Sequence, residues 1–197
     1  MKRQAGAQAS LLTLGLLLGS ACSHADIVPQ FQSATHSGGD YRWIYQIDLT
    51  GGERIRKGNY FTIYDFAGFI PGSNFQPVNW VFSTALVGKT PKGAGIVDNS
   101  KIPNLTWTYM GRPTGGFNLI DLGLFGALSK YGKGQLSDYV GTGRRYAPHA
   151  RGNGKPMITT GTIEVPQAIA PEGGSLSLLL PGLATLGLLL RKRSRQG

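Results

Sequence analysis

Strict two-residue alternation runs through Tyr41-Arg42-Trp43-Ile44-Tyr45-Gln46-Ile47-Asp48-Leu49. That period puts Tyr41, Trp43, Tyr45, Ile47 and Leu49 on one face of a β-strand, and an aromatic face of this kind needs a second layer to cover it. Gly51-Gly52 then turns the chain. The same pattern recurs. Asn59 to Phe66 (NYFTIYDF) reads as a second strand, and Pro71-Gly72-Ser73-Asn74 as a turn. Val78 to Leu86 (VNWVFSTAL) is a third strand, with Val78, Trp80 and Phe82 on one side. Leu105, Trp107 and Tyr109 mark a fourth in NLTWTYM, Phe117 to Leu122 a fifth, and Met157 to Val165 (MITTGTIEV) a final one. Leu136 to Val140 reads ambiguously. Leu119 to Leu128 also admits a short helix, against which Gly123 and Gly126 argue.

Between the two ends no segment reads convincingly as a helix. The expected fold is all-β: a single antiparallel β-sandwich or jelly-roll-like domain over residues 26–165, flanked by an N-terminal signal helix and a C-terminal transmembrane-like helix. Composition agrees, with 30 glycines, 10% aromatic residues and only 15% charged ones. That mixture suits short strands and tight turns, and the body is long enough to bury a core without covalent staples.

Residues 1–25 read as a secretory signal peptide. A basic start (Lys2, Arg3) precedes the apolar run Leu11 to Leu18, which is short for a bilayer span. Small residues Ser23 and Ala25 then place a cut between Ala25 and Asp26. Cys22, the single cysteine, lies inside this segment, so a cut chain would hold no disulfide and no thiolate metal site. Acylation at Cys22 is the lesser alternative, because Gly19 stands where a lipobox places Leu.

Residues 166–197 have their own order. Pro171-Glu172-Gly173 comes first, then an apolar helix at 175–190, then a basic end at 191–195 with Arg191, Lys192, Arg193 and Arg195. The uncharged stretch Leu176 to Leu190 would rise about 22 Å as a helix, against a hydrocarbon core of roughly 30 Å, so insertion needs tilt, flanking residues or local thinning. The basic cluster would stay on the cytoplasmic side. Short motif, apolar helix and basic cluster together resemble the PEP-CTERM sorting tail. Gly173 departs from the usual third motif residue, Pro. The stretches GNYFTIYDFAGFIPGS and IPNLTWTYMG resemble a globular domain that recurs in PEP-CTERM proteins without an assigned role. The resemblance implies processing by a membrane-embedded exosortase in a Gram-negative, exopolysaccharide-producing bacterium. A permanent tail anchor is the alternative.

The formal charge of +10 looks at first like a nucleic-acid signal. Six of the positive charges, at Lys2, Arg3, Arg191, Lys192, Arg193 and Arg195, instead flank the apolar ends, where they set topology. The export signal also argues against nucleic acid as a partner. In the body, Arg144 to Lys155 holds Arg144, Arg145, His149, Arg151 and Lys155 without one acidic residue. Its Gly and Pro predict a long flexible loop. Arg144, Arg145, Arg151 and Lys155 would contact an anionic exopolysaccharide through charge-assisted hydrogen bonds, or they form a solvated loop that keeps the chain soluble.

Catalytic signals are weak. Asp65, Asp98, Asp121 and Asp138 are spread along the chain, and no pair stands out at the separation glycoside hydrolysis requires. Asp98-Asn99 reads as a turn, and Asp98-Asn99-Ser100 lacks the regular ligand spacing of a calcium loop. His36 and His149 sit in no metal or triad motif, no Gly-x-Ser-x-Gly elbow occurs, and Gly141-Thr142-Gly143-Arg144-Arg145 lacks a phosphate loop's lysine. Trp43, Trp80 and Trp107 read as core rather than as sugar-stacking residues. No cofactor or metal is expected. The expectation is an exported surface or matrix protein, structural or adhesive, with a secreted polysaccharide-acting enzyme as the rival.

Overall fold

The computed structural model describes residues 27–168; the expected signal segment and the part of the expected sorting tail beyond Ala168 lie outside them. Among the described residues there are ten strands and no helix: β1 Ile27–Ser37, β2 Asp40–Leu49, β3 Glu53–Ile55, β4 Tyr60–Ile63, β5 Trp80–Ala85, β6 Asn104–Tyr109, β7 Thr114–Gly116, β8 Ile120–Ser129, β9 Gly134–Arg145 and β10 Pro156–Pro166. They build two antiparallel sheets. The small one has the order β1-β2-β8. The large one runs β5-β6-β4-β9-β3-β7, with β10 also paired to β9. The fold is all-β, and its layering is consistent with a β-sandwich.

β2 takes the face expected of it: Trp43, Tyr45, Ile47 and Leu49 are buried, and the residues between them are more exposed. β1 was not expected as a strand. Its pairing with β2 shifts register between Phe31 and Ser33, so apolar residues fall on odd positions before the bulge and on Ala34 after it. Gly38, at φ 67°, helps make the tight β1–β2 turn.

The expected fifth strand at 117–122 is corrected. Only its last residues belong to β8, which continues to Ser129, and the helical alternative for 119–128 is replaced by that strand. Glycines occur here because the backbones come close. A Cβ on Gly126 would overlap the carbonyl oxygen of Trp43 and the ring of Phe75. β9 is far longer than the ambiguous 136–140, since it is paired along its whole length by β10.

One aromatic cluster joins the sheets. Phe61 of β4 stacks on Trp107 of β6, with centroids 5.1 Å apart and planes 17° apart. Phe125, from the small sheet, meets Phe61, Trp80 and Trp107 edge-on. Edge-to-face contacts set the positive rim of one ring against the negative face of another. Trp43, Trp80 and Trp107 are all core residues, as expected. The outer face of the large sheet is covered as well. Tyr60, Tyr64 and Val140 form a second buried cluster against Ala94 and Ile96, from the connection between β5 and β6. Every residue of β4 is therefore buried, on both faces.

Gly126→Ala should destabilise the domain by about 2 kcal/mol or more, because the Trp43 carbonyl cannot retreat without disturbing β2–β8 pairing. Gly39→Ala, whose Cβ would meet nothing within 4 Å, should change stability by no more than about 0.5 kcal/mol. Urea unfolding of both variants checks the contrast.

Candidate functional site

Two polar assemblies stand out. The first is the end of the β9–β10 hairpin. Arg144 and Arg145 lie in β9 itself, and the turn beyond them is closed by its own hydrogen bonds rather than forming a long open loop. Gly154 N–H donates to the Arg145 carbonyl (2.8 Å) and Arg145 N–H to the Lys155 carbonyl (3.0 Å). Ala147 N–H donates to Asn153 Oδ1 at 3.2 Å. Arg144 is part of this bracing: its Nη1 donates to the Gly154 carbonyl at 2.8 Å, while its Nε is buried without a partner. Arg145, Arg151 and Lys155 are exposed. The four cations singled out from sequence thus divide into one brace and three groups that solvent or a ligand can reach.

The neighbouring strand adds residues that sequence reasoning missed. Arg54 of β3 is the direct partner of Arg144, and Glu53 the partner of Arg145. The Arg54 guanidinium lies 4.5 Å from the Tyr146 ring centroid, and Phe117 meets the same ring edge-on at 5.1 Å. Phe117 is itself largely exposed. Two arginines directly across a strand pair repel one another, and the ring face and carbonyl they find offset part of that cost. Glu53 is only 7% exposed, and its Oε2 has no hydrogen-bond partner. Among the described residues, no carboxylate forms a salt bridge with Arg54, Arg144, Arg145, Arg151 or Lys155. Exposed cations beside an exposed aromatic ring are suited to an anionic sugar polymer, which offers carboxylate or sulfate oxygens and apolar ring faces.

The second assembly gathers carboxylates that are far apart in sequence. Asp65, Val97, Leu136, Ser137 and Asp138 line an open pocket of about 190 Å³. Asp138 accepts the Val97 N–H at 2.8 Å. Asp65 accepts the Asn99 N–H at 3.0 Å and the Ser137 hydroxyl at 3.3 Å. Asp98 accepts the Gly88 N–H at 2.8 Å and the Asn104 side-chain amide at 2.9 Å. These carboxylates therefore latch the β5–β6 connection onto the large sheet. Tyr64 helps from beneath, its hydroxyl bonded to the Lys89 carbonyl and Thr90 Oγ1; burial pushes that phenol up to about 12.

A cation needs a shell of oxygens, whereas Asp98 is surrounded by N–H donors. Among the described residues no group of three His, Cys, Asp or Glu side chains is arranged to hold a metal ion. Asp121 lies elsewhere, directly opposite Asp48 across β2 and β8 and hydrogen-bonded by Gln46. His36 sits in β1 against Tyr41, and His149 lies in the hairpin turn at φ 66°. The expected cleavage pair Ala25 and Asp26, Cys22, the expected motif Pro171, Glu172 and Gly173, and the basic residues Arg191, Lys192, Arg193 and Arg195 all fall outside the described residues.

Asp65 holds φ 55°, a left-handed conformation that Asp and Asn tolerate. Burial raises its carboxyl above the ordinary value, the Asn99 and Ser137 hydrogen bonds pull it back part of the way, and the charges of Asp98 and Asp138 raise it again. Its ionised form is thus kept at a net cost. A group raised in the fold contributes stability below its unfolded value and loses that contribution as pH rises through the folded one. Asp65→Asn keeps the backbone conformation and removes the loss. The melting temperature of the variant relative to the unmodified protein should therefore climb as pH rises from about 4, the ordinary aspartate value, through the raised value in the fold. A flat or falling difference would contradict the assignment.

At the hairpin, Arg145→Ser with Arg151→Ser should abolish salt-sensitive retention on an acidic polysaccharide column while leaving the melting temperature within about 2 °C. Arg144→Ala should instead lower stability by about 0.5–1.5 kcal/mol, read by urea unfolding, because it removes the hydrogen bond that braces the Gly154 carbonyl. Retention unchanged in the double variant would remove the hairpin as a polymer contact. No protein-family model matches the chain, and neither the search of curated proteins nor that of solved structures gives a match.

Proposed function

We propose that this chain is an exported surface or extracellular-matrix protein sorted by a PEP-CTERM/exosortase system. Its β-sandwich domain serves a structural or adhesive role, and the exposed cations of the β9–β10 hairpin contact anionic exopolysaccharide. The observation that carries the reading is the order of the tail: Pro171-Glu172-Gly173, an uncharged apolar stretch, then Arg191 to Arg195. Ile27, fully buried in the core, follows directly on the Ala25–Asp26 cut, and β10 ends at Pro166, before the motif. Processing at either end would cost the domain none of its strands. A membrane-embedded exosortase and the membrane itself are the partners before processing.

The pocket at Asp65 and Asp138 favours the rival reading, a polysaccharide-acting enzyme. Against it, the hydrogen bonds from Val97, Asn99 and Ser137 already engage these carboxylates in holding the connection in place. A general acid or base must be free to exchange its proton with a substrate.

The deciding experiment is the intact mass of the protein recovered from the surface and medium of its host. Loss of residues 1–25 together with everything beyond about Pro171 is the expected result. A chain that retains Leu176 to Arg195 would make the tail a permanent anchor and remove the exosortase reading.

A further inference from the structure

Sheet edges offer open N–H and C=O groups, and proteins ordinarily blunt them. Four of the five edges here are blunted. β1 carries Pro29 and a bulge. The free side of β8 is bridged by the chain's own Phe69 and Phe75, with Ile70 N–H donating to Leu128. β7 has three residues. β10 begins and ends in proline and carries Glu164.

β5 has none of these devices. It pairs with β6 in unbroken register from Trp80↔Tyr109 to Ala85↔Asn104, and no strand pairs with its other side among the described residues. It contains neither proline nor charge, and no charged residue occurs from Phe66 through Gly88. Apolar side chains stand exposed along it and just before it, with Val81 at 54% and Val78 at 85%, and Leu86 and Val87 are exposed just beyond.

We infer that the β5 edge is a self-association surface, where a second copy of this chain pairs antiparallel about a two-fold axis and merges two large sheets into one. The charge pattern selects a second copy as the occupant. A two-fold axis brings the same stretch against itself, so each side meets an uncharged strand. Two copies of a domain with more Lys and Arg than Asp and Glu repel wherever their cations meet, and this edge is where they can approach without such contact. A partner chosen by complementary charge would find nothing to grip here. The pairing closes the open backbone groups over about 20 Å and covers Val78 and Val81.

The test uses the full-length chain in mild detergent. Sedimentation over a concentration series should show a dimer. Val81→Lys and Ala85→Lys, both at exposed positions, should raise its dissociation constant about tenfold or more while the melting transition is retained. Because a lysine variant can fail to fold, Ser83→Cys on β5 and Thr160→Cys on β10 are compared by thiol cross-linking in a Cys22→Ser background. Cross-linked dimer at Ser83→Cys well above that at Thr160→Cys is expected. A monomer at every concentration, a dimer untouched by the folded lysine variants, or equal cross-linking at the two positions would each overturn the inference.

Discussion

Phe125 wedged edge-on against the stacked pair Phe61 and Trp107 is the contact on which the rest of the domain depends. It is where the small sheet meets the large one, and it uses the inward faces of β8, β4 and β6 at once. Because Phe61 and Ile63 point inward, Tyr60, Thr62 and Tyr64 are turned to the other face of the same strand. That second face is apolar enough to need a cover of its own, which the β5–β6 connection supplies. The carboxylate latch follows from this. A connection lying flat on a sheet leaves backbone N–H groups that must find acceptors, and Asp65, Asp98 and Asp138 provide them.

β9 carries both polar assemblies. Asp138 lies in its first half and Arg144 and Arg145 at its end, roughly 20 Å along the strand. That exceeds the Debye length at physiological salt, about 8 Å, so the acidic pocket and the basic hairpin act as separate electrostatic regions. At the basic end, Glu53 opposite Arg145 is the neighbouring carboxylate, and the cations there outnumber it.

Strands with uninterrupted alternation were legible from sequence. β2 could be read residue by residue, and β6 and β10 nearly so, because burial on one face imposes a period of two. β1 was hidden by its bulge, which moves the apolar residues out of phase. β8 was disguised by Gly123 and Gly126, which lower helix propensity but give no positive sign of the close backbone approach that requires them. The convergence of Asp65, Asp98 and Asp138 could not be read at all, since it depends on which strand β9 pairs with. The basic segment was legible as a set of charges but not as a set of roles. Nothing local distinguishes Arg144, folded back onto Gly154, from Arg145, and Arg54 joins them only through the β3–β9 register. The turn character of Asp98-Asn99 was readable, and Asn99 Oδ1 does accept the Lys101 N–H.

The central place of β9 also governs when the fold can form. In the large sheet β9 has β10 along one side, and β4 and then β3 along the other. Without residues 134–145 the ladders fall into three pieces, β5-β6-β4, β3-β7 and an unpaired β10. The Tyr45 hydroxyl reaches even further along the chain, to the Glu164 carbonyl. Contacts of such long sequence separation slow folding, because loop closure must precede any gain from pairing. A chain emerging from the ribosome thus cannot complete the native large sheet until nearly all of the domain has been synthesised.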